Sequence, residues 1–229
     1  MFSKFFHSNG PEDKTAAGFS LVELMVAMTT TLALMAAACT LLAGAFNVRG
    51  RENQKSAALA DAQRALNNMS REIANSGFGL STNGIVTSDS TSSAIRVRAN
   101  LNAFDKETSS TTVNDSDEDV IYKLFTDSSQ SYVERVDVNS GVRTTILANR
   151  VDALVIRYYA DKVAYTAGTC DINTSSAEVA DKSKAKYLVI VACVQLPAVG
   201  KPGSPGYQPV SSVQLISDLL LRNSDLVRY

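Results

Sequence analysis

Few residues in this chain are equipped for chemistry, and their spacing argues against catalysis. The one histidine is His7, close to the N-terminus, so the commonest general base and commonest transition-metal ligand is missing from everything downstream. Ser183 and Lys186 have the Ser-x-x-Lys spacing of some acyl-transfer enzymes, but they stand among charged loop residues and that class's accompanying motifs are absent. Asp115, Asp117, Glu118 and Asp119 crowd together as calcium ligands do. No glycine turn and late glutamate complete an EF-hand loop around them, so a solvated acidic turn before a strand is expected. No Gly-rich phosphate loop, metal-spaced cysteine cluster or aromatic-interleaved basic stripe is present either. The expectation is a protein that is not an enzyme, with no catalytic residue, no metal and no cofactor. One isolated acid, Glu23, and three cysteines, Cys39, Cys170 and Cys193, are left to explain.

Glu23 is the only residue ionised at neutral pH between residues 19 and 48, in a run dominated by Ala, Leu and Met and free of proline. A helix of about 20 apolar residues spans a bilayer core, so this run is long enough to cross. A secretory signal has an uncharged apolar region of about 7–15 residues, which is shorter than this one and lacks an acid. Small-residue patterns at Ala43-Gly44-Ala45 and Ala36-Ala37-Ala38-Cys39 would also place cleavage unusually late. A plain anchor explains the length but not the carboxylate, which costs about 2.5–3.5 kcal/mol at mid-bilayer and by default marks function. The alternative for Glu23 is an acid snorkelling to the cytoplasmic interface.

The stretch Gly18-Phe19-Ser20-Leu21-Val22-Glu23-Leu24-Met25-Val26-Ala27-Met28 resembles the processing site and first helical turns of type IV prepilins and type II secretion pseudopilins. Asp61-Ala62-Gln63-Arg64-Ala65-Leu66, Met69-Ser70-Arg71-Glu72-Ile73-Ala74 and Gly77-Phe78-Gly79 are similar to the helix end of PilW-like minor pilins and J-type minor pseudopilins. The resemblance implies a leader over 1–18, cleavage by a prepilin peptidase between Gly18 and Phe19, and N-methylation of Phe19. It also implies a body outside the cytoplasm, assembly with other pilin subunits through the helix, and contact with the inner-membrane pilus machinery. In that setting Glu23 would meet the Phe19 amine of a neighbouring subunit and act as a register device, because a bare carboxylate in an apolar filament core is heavily penalised. Minor pilin is the leading reading and minor pseudopilin the alternative. A filament-tip adhesin or DNA-binding module is the rival from another class.

The elements that must position these residues follow from patterning. Beyond Val48 the chain turns polar but keeps helical spacing, with Leu59, Leu66, Met69 and Ile73 forming an apolar stripe, so one helix is expected over 19–76, membrane-spanning from about 19 to 46. Gly44 and Gly50 mark a bend in it or a point of close packing between neighbouring helices. From 77 to 229 the pattern is β, with strands expected at 94–99, 120–126, 132–138, 144–147, 151–160, 186–196 and 210–221. Short connections favour antiparallel pairing, and the stripe covers one sheet face, giving an α+β fold. Pro197, Pro202, Pro205 and Pro209 alternate with Gly200, Gly203 and Gly206 in a stiff, exposed loop. Cys39 lies in the membrane helix as a small apolar residue. Cys170 and Cys193 are candidates for a disulfide, which needs a Cα separation that sequence does not supply. The net charge of −1 argues against nucleic acid as a partner, and the bilayer is the expected surroundings of the helix before assembly.

Overall fold

The computed structural model describes residues 18–104, 112–128, 130–147 and 150–224. The expected leader falls outside these apart from Gly18, as do the last five residues.

A single helix, α1 (Leu21–Ala74), runs for 54 residues, about 80 Å. Its β-branched threonines do not interrupt it. Thr29, Thr30 and Thr31 donate their hydroxyls to the Val26 and Ala27 carbonyls within one turn. The helix closes where the Asn75 N–H reaches the Glu72 carbonyl and the Ser76 N–H the Ile73 carbonyl. Gly77 then takes φ +81°, and a Cβ there would lie 2.5 Å from the Thr82 carbonyl oxygen, so only glycine fits this exit.

Two antiparallel sheets follow. β1 (Ala94–Arg98), β2 (Asp119–Asp127), β3 (Gln130–Asp137) and β4 (Arg143–Leu147) form a meander in chain order. β5 (Val151–Tyr159) leads into a long excursion holding the small ribbon β6 (Thr166–Ala167) and β7 (Ile172–Asn173). The chain returns as β8 (Tyr187–Leu196), which lies between β5 and the last strand, β9 (Ser211–Leu220). The fold is α+β. Every expected strand is present, with ends moved by two residues or fewer, whereas strands as short as β6 and β7 carry no alternation to read.

The core lies between the second half of α1 and the two sheets. Ala58, Ala62, Ala65, Leu66, Met69 and Ile73 are buried together with Leu188, Ile190, Ala192 and Val194 of β8 and Leu154 and Ile156 of β5. The stripe therefore differs from the expected one: Leu59 is only half-buried, at its margin, and three alanines occupy the centre. Their small side chains let the sheet approach the helix closely. The opposite face of β8, with Tyr187, Val189 and Val191, forms a second cluster with Tyr159 of β5 and Ile172 of the excursion. Burying a Val, Leu or Ile fully stabilises by about 1.5–3 kcal/mol. A strand covered on both faces is thus the chief apolar contributor of the fold.

The acidic cluster is a turn just before β2 with Asp115 and Asp117 exposed, but it is only half solvated. Glu118 and Asp119 are buried, and each is committed to a structural partner. Asp119 accepts from Arg96 and from Arg98, and Glu118 accepts the backbone N–H of Leu101 and of Asp115. Burial works against the Asp119 charge, but the two arginines outweigh it and hold the carboxyl below its usual range. Asp137 follows the same logic with Ser140 and three backbone N–H groups as donors. These carboxylates brace the end of the first sheet, and among the described residues no group of three or more His, Cys, Asp or Glu is arranged to hold a metal.

Candidate functional site

The N-terminal half of α1 projects clear of the body. Every residue from 18 to 43 is exposed, Phe19 at 83%, and Leu21, Leu24, Met25, Leu32, Leu41 and Phe46 are all uncovered. By length and composition this half is able to cross a membrane. A contiguous apolar surface of this extent marks a membrane or protein contact. Glu23 lies in the first turn, where a negative charge complements the helix dipole. Among the described residues no cation pairs with it, so any partner for its carboxylate comes from elsewhere.

The structure places Gly18, Phe19 and Glu23 together at one end of the molecule. Cys170 and Cys193 lie on the body, on the β8 face turned away from α1, so the candidate residues do not form one site. The two cysteines have Cα atoms 5.3 Å apart and their sulfurs in bonding contact. Cys193 is fully buried beside Val191, and Cys170 belongs to the excursion that covers this face. The same excursion is held by Arg157 of β5, which ion-pairs with Asp171 and Glu178, and by Gln214 of β9, which bonds the Asp171 carbonyl and the Cys170 N–H.

Where the exposed half of α1 meets the body, a seat appears that patterning alone did not announce. Arg51 is buried, 7% exposed as a residue. It donates to the Pro197 carbonyl at 2.6 Å, to the Pro209 carbonyl at 2.8 Å and to the Ser211 hydroxyl. These oxygens lie at the two ends of the Pro/Gly segment, which folds back as a hairpin bridged at Val199 and Gln208. Nearer its tip, the Pro205 carbonyl accepts from Asn47, and Gly206 packs on Gly44: a Cβ on Gly206 would fall 2.6 Å from the Gly44 Cα. Gly44 and Gly50 thus meet this hairpin of their own chain, and α1 runs through both without breaking. Gly44, Arg51, Ala58 and Ala65 recur every seven residues, two helical turns, and that spacing was the available signal that Arg51 continues the buried stripe.

At the opposite end of α1 a cleft of about 400 Å³ is lined by Glu72, Ser76, Arg98, Glu118 and Arg135 among others. Its charged groups are all committed: Arg98 pairs with Asp119, Glu118 accepts backbone N–H groups, and the others form one network. Tyr122 donates to Glu72 at 2.6 Å, and Arg135 bridges Glu72 at 3.0 Å and Asp117 at 2.6 Å. Burial, reinforced by the Glu72 carboxylate, pushes the Tyr122 hydroxyl well above its ordinary value, so it stays a donor. This network fastens the first sheet to the helix. Ser183 lies in a short helical turn, Lys182–Lys184, and donates its hydroxyl to the N-cap Asp181.

No protein-family model and no curated protein matches the chain. Among solved structures, a type IV-like pilin from Thermus thermophilus is similar at 13% identity and a TM-score of 0.40, over 72% of this chain and 97% of that one.

Proposed function

We propose that this chain is a minor type IV pilin: a precursor cut between Gly18 and Phe19, held by the first half of α1 in the cytoplasmic membrane with the body outside, and then built into a filament that it primes or decorates. One observation carries the reading. A single unbroken helix has one half buried as the spine of an α+β body, while its other half is bare, apolar and marked by one carboxylate five residues beyond Gly18. A soluble protein gains nothing from such an exposed half. A plain anchor has no use for Glu23, which is costly in lipid and becomes useful once a neighbour's N-terminal amine can meet it. The prepilin peptidase, other pilin subunits and the inner-membrane assembly machinery are the partners this role requires.

Processing tests the proposal directly. Gly18→Val places a branched side chain at the residue before the cut, and the variant is expected to accumulate at full precursor length in the membrane fraction, read by gel mobility and N-terminal sequencing. Normal release of a chain beginning at Phe19 would count against it.

A body outside the cytoplasm lies where thiols oxidise, and we assign Cys170 and Cys193 to a disulfide that pins the excursion over β8. In the chain-entropy model, closing a loop with a sequence separation of 23 residues stabilises by about 3 kcal/mol. Alkylation of the unfolded, unreduced protein is expected to label Cys39 alone, with peptide mass mapping as the readout. Labelling at all three cysteines would remove the bridge.

A further inference from the structure

We infer that the Pro/Gly hairpin, residues 197–210, is a foot that rests on the anionic headgroups of the membrane surface facing the body. The inference rests on the membrane-spanning reading of α1 given above. From Leu21 the helix needs about 20 residues, to about residue 41, to cross a hydrocarbon core of about 30 Å. Gly44 then falls about 5 Å beyond it, within the headgroup layer, and Asn47 about 9 Å beyond it, at that layer's outer edge. The hairpin reaches that level. Its base is held at Arg51 and its tip lies against Asn47 and Gly44, so it descends along the helix by about seven residues, or about 10 Å, toward the apolar half.

Its composition suits that layer. No Asp or Glu occurs from residue 182 to 217, nor in α1 between Glu23 and Glu52. The cations at this level are Arg49 on the helix and Lys201 near the hairpin tip, both exposed, and Tyr207 supplies the amphipathic ring that favours membrane interfaces. Four prolines limit the chain entropy that contact with the surface removes. The buried Arg51 latch fixes the hairpin to α1, so a foot on the headgroups sets the height and tilt of the whole body above the bilayer.

The chain contains no tryptophan, so single substitutions give clean depth probes. Three full-chain variants, Phe46→Trp, Tyr207→Trp and Phe104→Trp, are reconstituted in vesicles of phosphatidylcholine with phosphatidylglycerol, using lipids brominated either near the glycerol or near the chain end. Phe46 reports insertion of the helix. Phe104, 79% exposed and in ring contact with Phe78 just past the helix end, reports the far end of the body. Phe46→Trp and Tyr207→Trp are expected to be quenched by the shallow bromine, and Phe104→Trp by neither. Adding Lys201→Glu to Tyr207→Trp is expected to lower its quenching at least about twofold in the anionic vesicles, with little change in phosphatidylcholine alone. Quenching of Phe46→Trp without quenching of Tyr207→Trp would overturn the foot and leave the spanning helix standing. Absence of quenching in both would overturn the two together. Equal quenching of Phe104→Trp and Tyr207→Trp would mean that the body lies on lipid indiscriminately, which also overturns the foot.

Discussion

Glu23→Val is expected to leave the subunit inserted and cleaved while lowering its recovery with sheared filaments by about one order of magnitude or more. Valine favours the bilayer where a carboxylate opposes it, so membrane residence is not at risk. In the proposed filament core, however, the Phe19 amine of the neighbouring subunit would lose its partner. Stranding one half of a buried pair costs about 3–5 kcal/mol. Each 1.4 kcal/mol is a factor of ten, so even where relaxation around the amine recovers part of this cost, a fall of about one decade or more remains. Glu23→Asp keeps the charge on a shorter reach and should fall between. The measurement is the ratio of subunit in the filament fraction to subunit in the membrane fraction, wild type against each variant. An unchanged ratio for Glu23→Val would leave the residue as an interfacial acid on an ordinary anchor.

The second large effect is expected at Arg51. Its guanidinium is the common donor to both ends of the hairpin, and among the described residues no carboxylate shares the site; the Pro197 and Pro209 carbonyls and the Ser211 hydroxyl take the place of a counter-ion. Arg51→Ala leaves these acceptors without a donor in a covered position, and a loss of about 3 kcal/mol in unfolding free energy follows. Arg51→Lys keeps the charge, but an ammonium on a flexible stem does not reproduce the fork that spans the hairpin base, so it should rescue only in part. Two readouts apply to the detergent-solubilised full chain: the denaturant midpoint by circular dichroism, and the rate of proteolytic nicking within 197–210. Arg51→Ala should lower the first and raise the second. Wild-type values for both would show that the hairpin is held by backbone packing at Gly44 and Gly206 without the latch.

Much of this molecule is legible in local pattern, because local pattern reports elements that are autonomous. An apolar run of some thirty residues rich in Ala, Leu and Met and without proline specifies a helix, and the β-branched and aromatic runs at 120–126 and 151–160 specify strands whose ends the structure moves by two residues or fewer. The isolation of Glu23 is likewise a property of its neighbours in the chain. Three features depended on contacts between residues far apart in the chain. Asp119 reads as one of a solvated cluster until Arg96 and Arg98 arrive from the neighbouring strand and make burial of its charge tolerable. The alanines at 58, 62 and 65 look featureless beside Leu59, yet they take the centre of the helix–sheet contact because the sheet comes close only over small side chains. Arg51 reads as one of several cations flanking a membrane segment, and it is buried only because residues 197 and 209, some 150 positions later, fold back to present their carbonyls to it. Periodicity along a chain records which face of an element is apolar. Which polar group on that face is satisfied depends on the partner that packs against it.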